Sequence, residues 1–216
     1  MSFVDLLLHK YASQLSGAVT HQLTQQLCSG TLPDHVLFTY LTQDLMFFNS
    51  GLQVFGKALA QCDDARAAIV LGKQIGFICN DENDYFKIVL DQLRDSVSAK
   101  VADMTSSKPP VLPAVAQYID FMATLNTYPE VITFMYAMEK VYLDWAEETE
   151  LAADLPYKHK EWIVLHSGEA FTAWTAFLKS EVERVVDDST AKDCERVFHQ
   201  TLELEIAFFQ ECYRYE

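Results

Sequence analysis

The sequence predicts an all-α fold, a single-domain multi-helix bundle. Three observations carry this. Apolar residues recur at helical spacing along the chain, no stretch alternates with period two, and glycine and proline are scarce, seven and six in 216 residues. Half of the residues are hydrophobic, enough for one large core. The clearest loop, residues 105–113, falls mid-chain, but neither half looks self-sufficient. It reads as a crossover, so residues 1–216 form one domain of eight or nine helices with no internal repeat.

Taken in order, Phe3, Leu7, Tyr11 and Leu15 mark a helix over residues 3–16, and residues 18–29 continue in the same style up to Gly30, which can close a helix. Thr31 can cap the next one, Pro33 fits its first turn, and Asp34 suits the positive end of its dipole. That helix starts near Leu32 and runs to about Gln61, broken or bent near Gly51 or Gly56. Asp63-Asp64 opens a helix over 65–79, and Asn80-Asp81-Glu82 opens another through Tyr85, Ile88, Val89, Leu93 and Val97. After the loop, Pro113 begins a helix carrying Tyr118, Phe121, Met122 and Leu125. Tyr128-Pro129-Glu130 starts one that runs to about Thr149. Pro156 precedes a short helix around Trp162, Ser167-Gly168-Glu169 opens one to about Asp187, and Ser189 or Thr190 caps the last.

Three of these helices carry a lone acid inside an apolar stripe. Tyr40, Asp44 and Phe47 share a face at i, i+4, i+7, flanked by Leu41 and Phe48. Met135, Glu139 and Tyr142 repeat the pattern, extended by Met138 and Trp145. Leu202, Glu205, Phe208, Phe209 and Cys212 form the third face, with Glu203 about 160° away from Glu205. Each acid has an ordinary explanation: Asp44 hydrogen-bonded to a neighbouring helix, Glu139 paired with a surface lysine, Glu205 at a solvated margin. If the three converge, they make a closed aromatic pocket lined with carboxylates, in which burial raises one pKa and leaves another acid ionised. A flat, amine-bearing heterocycle suits such a pocket, stacking on the rings and donating N–H to the acids.

Composition excludes other classes. The formal charge of −15 repels phosphate backbones and anionic lipid, so neither nucleic acid nor a membrane is an expected partner. No apolar run approaches a membrane span, and Leu6-Leu7-Leu8 after Asp5 is too short for a secretory signal. Cys28, Cys62, Cys79, Cys194 and Cys212 are scattered without a CxxC pair, which reads as reduced thiols in a cytoplasmic protein. Histidine spacing offers no metal site, and no Gly-rich phosphate loop occurs, so no metal or cofactor is expected.

These residues bear a resemblance. Gly30-Thr31-Leu32-Pro33 followed by Tyr40, Gln43-Asp44 and Phe47 resembles the early signature of the TenA/thiaminase II family. Tyr118 with Met122, then Glu161-Trp162-Ile163 with Phe171, then Leu204-Glu205 with Phe208-Phe209, resemble its later segments in order and spacing. The resemblance implies a haem-oxygenase-like bundle with a buried central ligand pocket, a homo-oligomer (dimer or tetramer), and thiamin-pyrimidine salvage. The implied reaction is hydrolysis of a C–N bond in an aminopyrimidine, aminomethyl or formylaminomethyl, to the hydroxymethyl form. By the same resemblance Asp44 binds the aminopyrimidine edge, Tyr40, Phe47 and Tyr118 form ring walls, Tyr142 lines the site, and Glu205 is general acid/base. Met138 stands where the best-known branch has its nucleophilic cysteine, with Glu139 beside it, and no cysteine occurs from 80 to 193. The chain thus resembles the cysteine-lacking, glutamate-bearing branch. His166 replaces a frequent tyrosine and either hydrogen-bonds in the pocket or is core.

Without a thiolate, the expected chemistry is direct hydrolysis, one of Glu139 and Glu205 activating water and the other protonating the departing amine. Two alternatives stand beside it. A non-catalytic protein could bind pyrimidine or thiamin in the same pocket. A different reaction on the haem-oxygenase-like fold would want an axial histidine near the first helix, where His9 and His21 are available.

Overall fold

The computed structural model describes residues 1–106, 108–148 and 151–215. Among these, twelve α-helices, one π-helical segment and two 3-10 turns occur and no strand, so the bundle is more finely divided than the sequence suggests. The extra divisions fall where no glycine or proline marks them. Residues 3–29 form α1 (Phe3–Lys10), α2 (Ala12–Val19) and α3 (Gln22–Ser29). The first break is at Tyr11, whose hydroxyl donates to Glu195 at 2.8 Å and whose ring stacks on His199 at 4.6 Å. The second is at His21, whose Nδ1 accepts from the Leu23 N–H and caps α3. In both places a tertiary or capping contact outweighs a continuous apolar pattern.

Gly30 ends α3 at φ 72°, a left-handed conformation that L side chains avoid. The Thr31 N–H then reaches back to the Gln26 carbonyl at 2.9 Å, closing a Schellman turn. A Cβ at Gly30 would lie 2.9 Å from Leu155 Cδ2, so close approach as well as conformation demands glycine. The chain turns directly into α4 (Asp34–Gln61), which is unbroken. The expected interruption at Gly51 or Gly56 is absent because packing on both flanks outweighs the roughly 1 kcal/mol that each glycine costs a helix.

Asp64 caps α5 (Ala65–Phe77), accepting from the N–H groups of Arg66 and Ala67. The helix expected to start at Asn80-Asp81-Glu82 does not start there. Those residues belong to a π-helical segment, Ile78–Glu82, through which α5 runs on into α6 (Asn83–Leu93). Val97 lies beyond α6, in extended backbone after the turn Arg94–Ser96. Past the short helix α7 (Ala99–Ala102), the turn Asp103–Thr105 and the loop, Pro113 opens α8 (Pro113–Thr124).

Thr127 and Glu130 form a reciprocal capping box for α9 (Tyr128–Glu148). Its expected end at Thr149 lies outside the described residues. Then follow α10 (Tyr157–Leu165), α11 (Gly168–Val185) and α12 (Ala191–Arg214). Thr190 sits at the start of α12 without a side-chain cap, and the Asp187 carboxylate instead takes the Ser189 and Thr190 N–H groups.

Every residue of α9 from Val131 to Glu139 is buried, the signature of a helix enclosed on all sides. It packs against α4, α11 and α12, while α4 also meets α5, α6, α8 and α12. The innermost layer is therefore α4, α9 and α12, the three helices that carry the lone acids. The buried side chains form one cluster from Val4 to Cys212. Among the described residues no helix is long and apolar enough to cross a membrane.

Candidate active site

A cavity of about 60 Å³ opens between α4, the π-helical segment, α6, α9 and α10. A water needs roughly 10–15 Å³ on this measure, so the space is more than a packing defect. Asp44, Phe47, Met138, Glu139, Tyr142 and His166, all expected from the sequence, line it. So do Phe48, Gly51, Phe55, Phe86, Phe134 and Trp162. The lining contains no cysteine, lysine or arginine among the described residues.

Tyr40, Tyr118 and Glu205 do not line this space. They stand one layer behind it. The Tyr40 hydroxyl accepts from Trp162 Nε1 at 3.1 Å and lies 3.1 Å from the Tyr142 hydroxyl, so Tyr40 supports two wall residues and is not a wall itself. Tyr118 packs its ring 4.6 Å from Phe47 and donates its hydroxyl to Glu205 Oε1 at 2.7 Å. The reason lies in helix rotation. Shared spacing puts residues on one face, but packing decides which edge of that face meets the cavity.

The acids have distinct surroundings. Asp44 is 5% exposed and has no hydrogen-bond or ionic partner among the described residues, and burial pushes its carboxyl up to about 8. A simple hydrogen bond to a neighbouring helix therefore does not account for it. Glu139 accepts from Trp174 Nε1 at 2.9 Å. Burial raises it to about 7, with the indole N–H pulling the other way. The lysine next to it, Lys140, pairs with Asp144 instead. Glu205 is 1% exposed, far from a solvated margin, and its Oε2 has no partner. Burial pushes it up to about 8, opposed by the Tyr118 hydrogen bond and reinforced by Asp44 and Glu139.

His166 lines the cavity and packs into the aromatic wall, 4.3 Å from Trp162 and 4.9 Å from Tyr142. Its Nδ1 lies 2.8 Å from the Trp162 carbonyl, which only accepts, so Nδ1 carries the proton and Nε2 is left as an acceptor. Burial lowers its pKa to about 4 and keeps the ring neutral. Neither His9 nor His21 lines the cavity.

Two contributors escaped the sequence reading. Trp174 on α11, which orients Glu139, sits far along the chain with nothing to link it to α9. Glu82 lines the cavity as a further acid, 8% exposed, with its pKa raised by burial and by the charges of Glu139 and Asp44. Its signal was present: Glu82, Phe86, Val89 and Leu93 stand at helical spacing, again a lone acid in an apolar stripe. The adjoining Asn80-Asp81 imitated a helix cap and hid it.

A larger groove of about 610 Å³ lies on the surface between α5, α10 and α11, lined by Val70, Phe77, Val164, Phe171 and Phe177 among others. It carries no acid, so its size does not make it the chemical site.

Fold and cavity together define the class: an all-α protein with an acid-lined aromatic cavity opening among its central helices. The chain belongs to the TENA/THI-4/PQQC family, whose pattern it matches over residues 9–215. It is similar in structure to a TenA homologue from P. horikoshii, with a TM-score of 0.83 and 18% identity over 99% of both chains. It is similar also to a TenA homologue from Pyrococcus furiosus, with a TM-score of 0.82 and 17% identity over 97% of this chain and 99% of that one. A domain from Shewanella denitrificans with a haem-oxygenase-like fold gives a TM-score of 0.68 at 16% identity, covering 98% and 92%. These likenesses establish the haem-oxygenase-like architecture. No functionally curated protein matches the sequence.

Proposed function

We propose that the protein hydrolyses a C–N bond at the methylene carbon of an aminopyrimidine derived from thiamin, releasing the hydroxymethyl-pyrimidine. The observation that carries this is the meeting of Asp44 and Glu139 with aromatic rings around one partly open cavity. Membership in the TENA/THI-4/PQQC family supports the thiamin connection. Asp44 binds the exocyclic amine edge, and Phe47 and Tyr142 bound the ring. Tyr40, Tyr118 and His166 hold those walls in place, and Met138 closes the side where a nucleophilic cysteine would otherwise act.

Water attacks the methylene carbon as the C–N bond breaks. The bond pair leaves with nitrogen, the C–O bond forms, and the proton lost by water replaces the one the leaving nitrogen gains. Glu139 has direct access to the cavity and ionises first, which suits the base. Glu205, one layer behind the cavity, keeps its proton to higher pH and is assigned the acid, its proton passing to the leaving nitrogen once substrate fills the site. No cofactor takes part in this reading. It includes a homo-oligomer, dimer or tetramer, checked by mass from light scattering.

An assay for the hydroxymethyl-pyrimidine tests the proposal, with aminomethyl-aminopyrimidine (releasing ammonia) and formylaminomethyl-aminopyrimidine (releasing formamide) as substrates and thiamin as comparison. Glu139→Gln and Glu205→Gln are each expected to lose about 10²- to 10⁴-fold in kcat, the usual worth of a general acid or base. Intact turnover in Glu205→Gln would remove Glu205 from the mechanism. Thermal stabilisation by the pyrimidines with no formation of the hydroxymethyl-pyrimidine, ammonia or formamide would leave a binding protein and end the hydrolase reading.

A further inference from the structure

Glu82 is delivered to the cavity by a π-helical turn, a rare geometry that often marks functional positions. It is more than nine-tenths buried, lines the cavity, and has no hydrogen-bond or ionic partner among the described residues. The same holds for Asp44. A buried carboxylate without a partner is costly unless a ligand supplies one. Two such groups, with Glu139 held by Trp174, face one small space that holds no lysine or arginine among the described residues.

The donors tell the complementary story. Trp162 Nε1–H is taken by Tyr40, Trp174 Nε1–H by Glu139, and His166 Nδ1–H by the Trp162 carbonyl. Every fixed side-chain N–H at the wall is thus engaged. Among the described residues the cavity offers carboxyl oxygens in excess, and its donors for a ligand carbonyl are hydroxyls alone, that of Tyr142 and the O–H of whichever acid keeps its proton. A primary ammonium, with one positive charge and three N–H donors, matches that inventory. A formamide, neutral, with one N–H and a carbonyl, satisfies fewer of those oxygens and brings no charge to favour their ionised form. The hydroxyl of Tyr142 is the rotatable donor that remains within the Tyr40–Tyr142 pair.

We infer that Glu82 is a specificity residue: it binds the protonated aminomethyl arm of the substrate, so that the site prefers the cationic amine to the neutral formylamino compound. This rests on the aminopyrimidine reading above. Asp44 then holds the ring, Glu82 the arm, and Glu139 the water. The arm arrives as –CH2–NH3⁺, so nitrogen leaves as ammonia, which takes a proton from Glu205 as Glu139 accepts the one lost by water. The sum is R–CH2–NH3⁺ + H2O → R–CH2–OH + NH4⁺, with no change of oxidation state.

The test compares kcat/KM for the aminomethyl and formylaminomethyl substrates in the wild-type protein and in Glu82→Gln. The wild type is expected to favour the amine by about tenfold or more, the scale of one hydrogen bond to a charged group. Glu82→Gln is expected to lose about tenfold more on the amine than on the formamide, chiefly through KM. A wild-type preference for the formamide, or equal losses on both substrates, would overturn the assignment of Glu82 while leaving the hydrolase intact. Turnover of neither substrate by the wild type would overturn both together. Thermal unfolding of Glu82→Gln separates folding failure from specificity, and the wild-type ratio decides the matter without any variant.

Discussion

Glu139 and Glu205 differ in what holds them, and that difference is measurable. Glu139 accepts from an indole N–H at the cavity wall and titrates near 7, whereas Glu205 is gripped by Tyr118 in the layer behind and titrates near 8. With Glu139 as base and Glu205 as acid, kcat/KM rises as pH passes about 7 and falls above about 8. The two limbs belong to the coupled set of acids, Asp44 included. A profile flat from pH 6 to 9 would contradict the assignment. At this scale the sequence was informative where spacing alone decides: an acid at i, i+4, i+7 among aromatics singled out Asp44 and Glu139, and both line the cavity. It was silent on depth. Whether Tyr40 walls the cavity or braces Tyr142 depends on how far α4 is rotated, and neighbours set that rotation.

The long helix α4 and the π-helical segment show what elements contribute. Gly51 is buried, lines the cavity, and would bring a Cβ within 4 Å of nothing, so its missing side chain is part of the open space. Gly51→Ala is expected to raise stability by about 1 kcal/mol through helix propensity while weakening pyrimidine binding. Thermal unfolding and a ligand titration on the same sample check both halves. Tighter binding in the variant would show that the ligand does not reach α4. Reading glycine as a helix breaker was the wrong rule at Gly51, where it makes room. The π-helical segment was illegible for a different reason. An extra residue in a helix leaves no local mark when polar residues such as Asn80 and Asp81 fill it, and only the inward turn of Glu82 reveals it.

For the whole molecule, the buried acids set how stability follows pH. Between pH 7 and 8 an unfolded chain holds its carboxyls fully ionised, since they titrate near 4. The folded chain retains part of the protons on Asp44, Glu139 and Glu205, raised to about 8, 7 and 8. The folded state binds more protons, so stability falls as pH rises through this window. His159 and His166, lowered to about 4, are neutral when folded and nearly so when unfolded there, and offset little. The melting temperature of the ligand-free protein is therefore expected to drop by a few degrees from pH 7 to 8, and less in Asp44→Asn. An unchanged melting temperature in the wild type would show that the acids ionise freely in the folded state. Fold class was the most legible property of all, because periodicity and sparse glycine and proline are averaged over the whole chain. Helix count was not, because contacts at Tyr11 and His21 break helices that local pattern would continue.

The want of any lysine or arginine among the described residues around the cavity has a consequence for traffic through it. A phosphate ester carries a double negative charge and asks for guanidinium, ammonium or free backbone amides, and here it would meet only acids and rings. On the proposed reading, the pyrimidine is therefore expected to enter unphosphorylated and leave the same way. On that reading, an enzyme that attaches a phosphate to it would have to act on the freed alcohol, after this protein has let go.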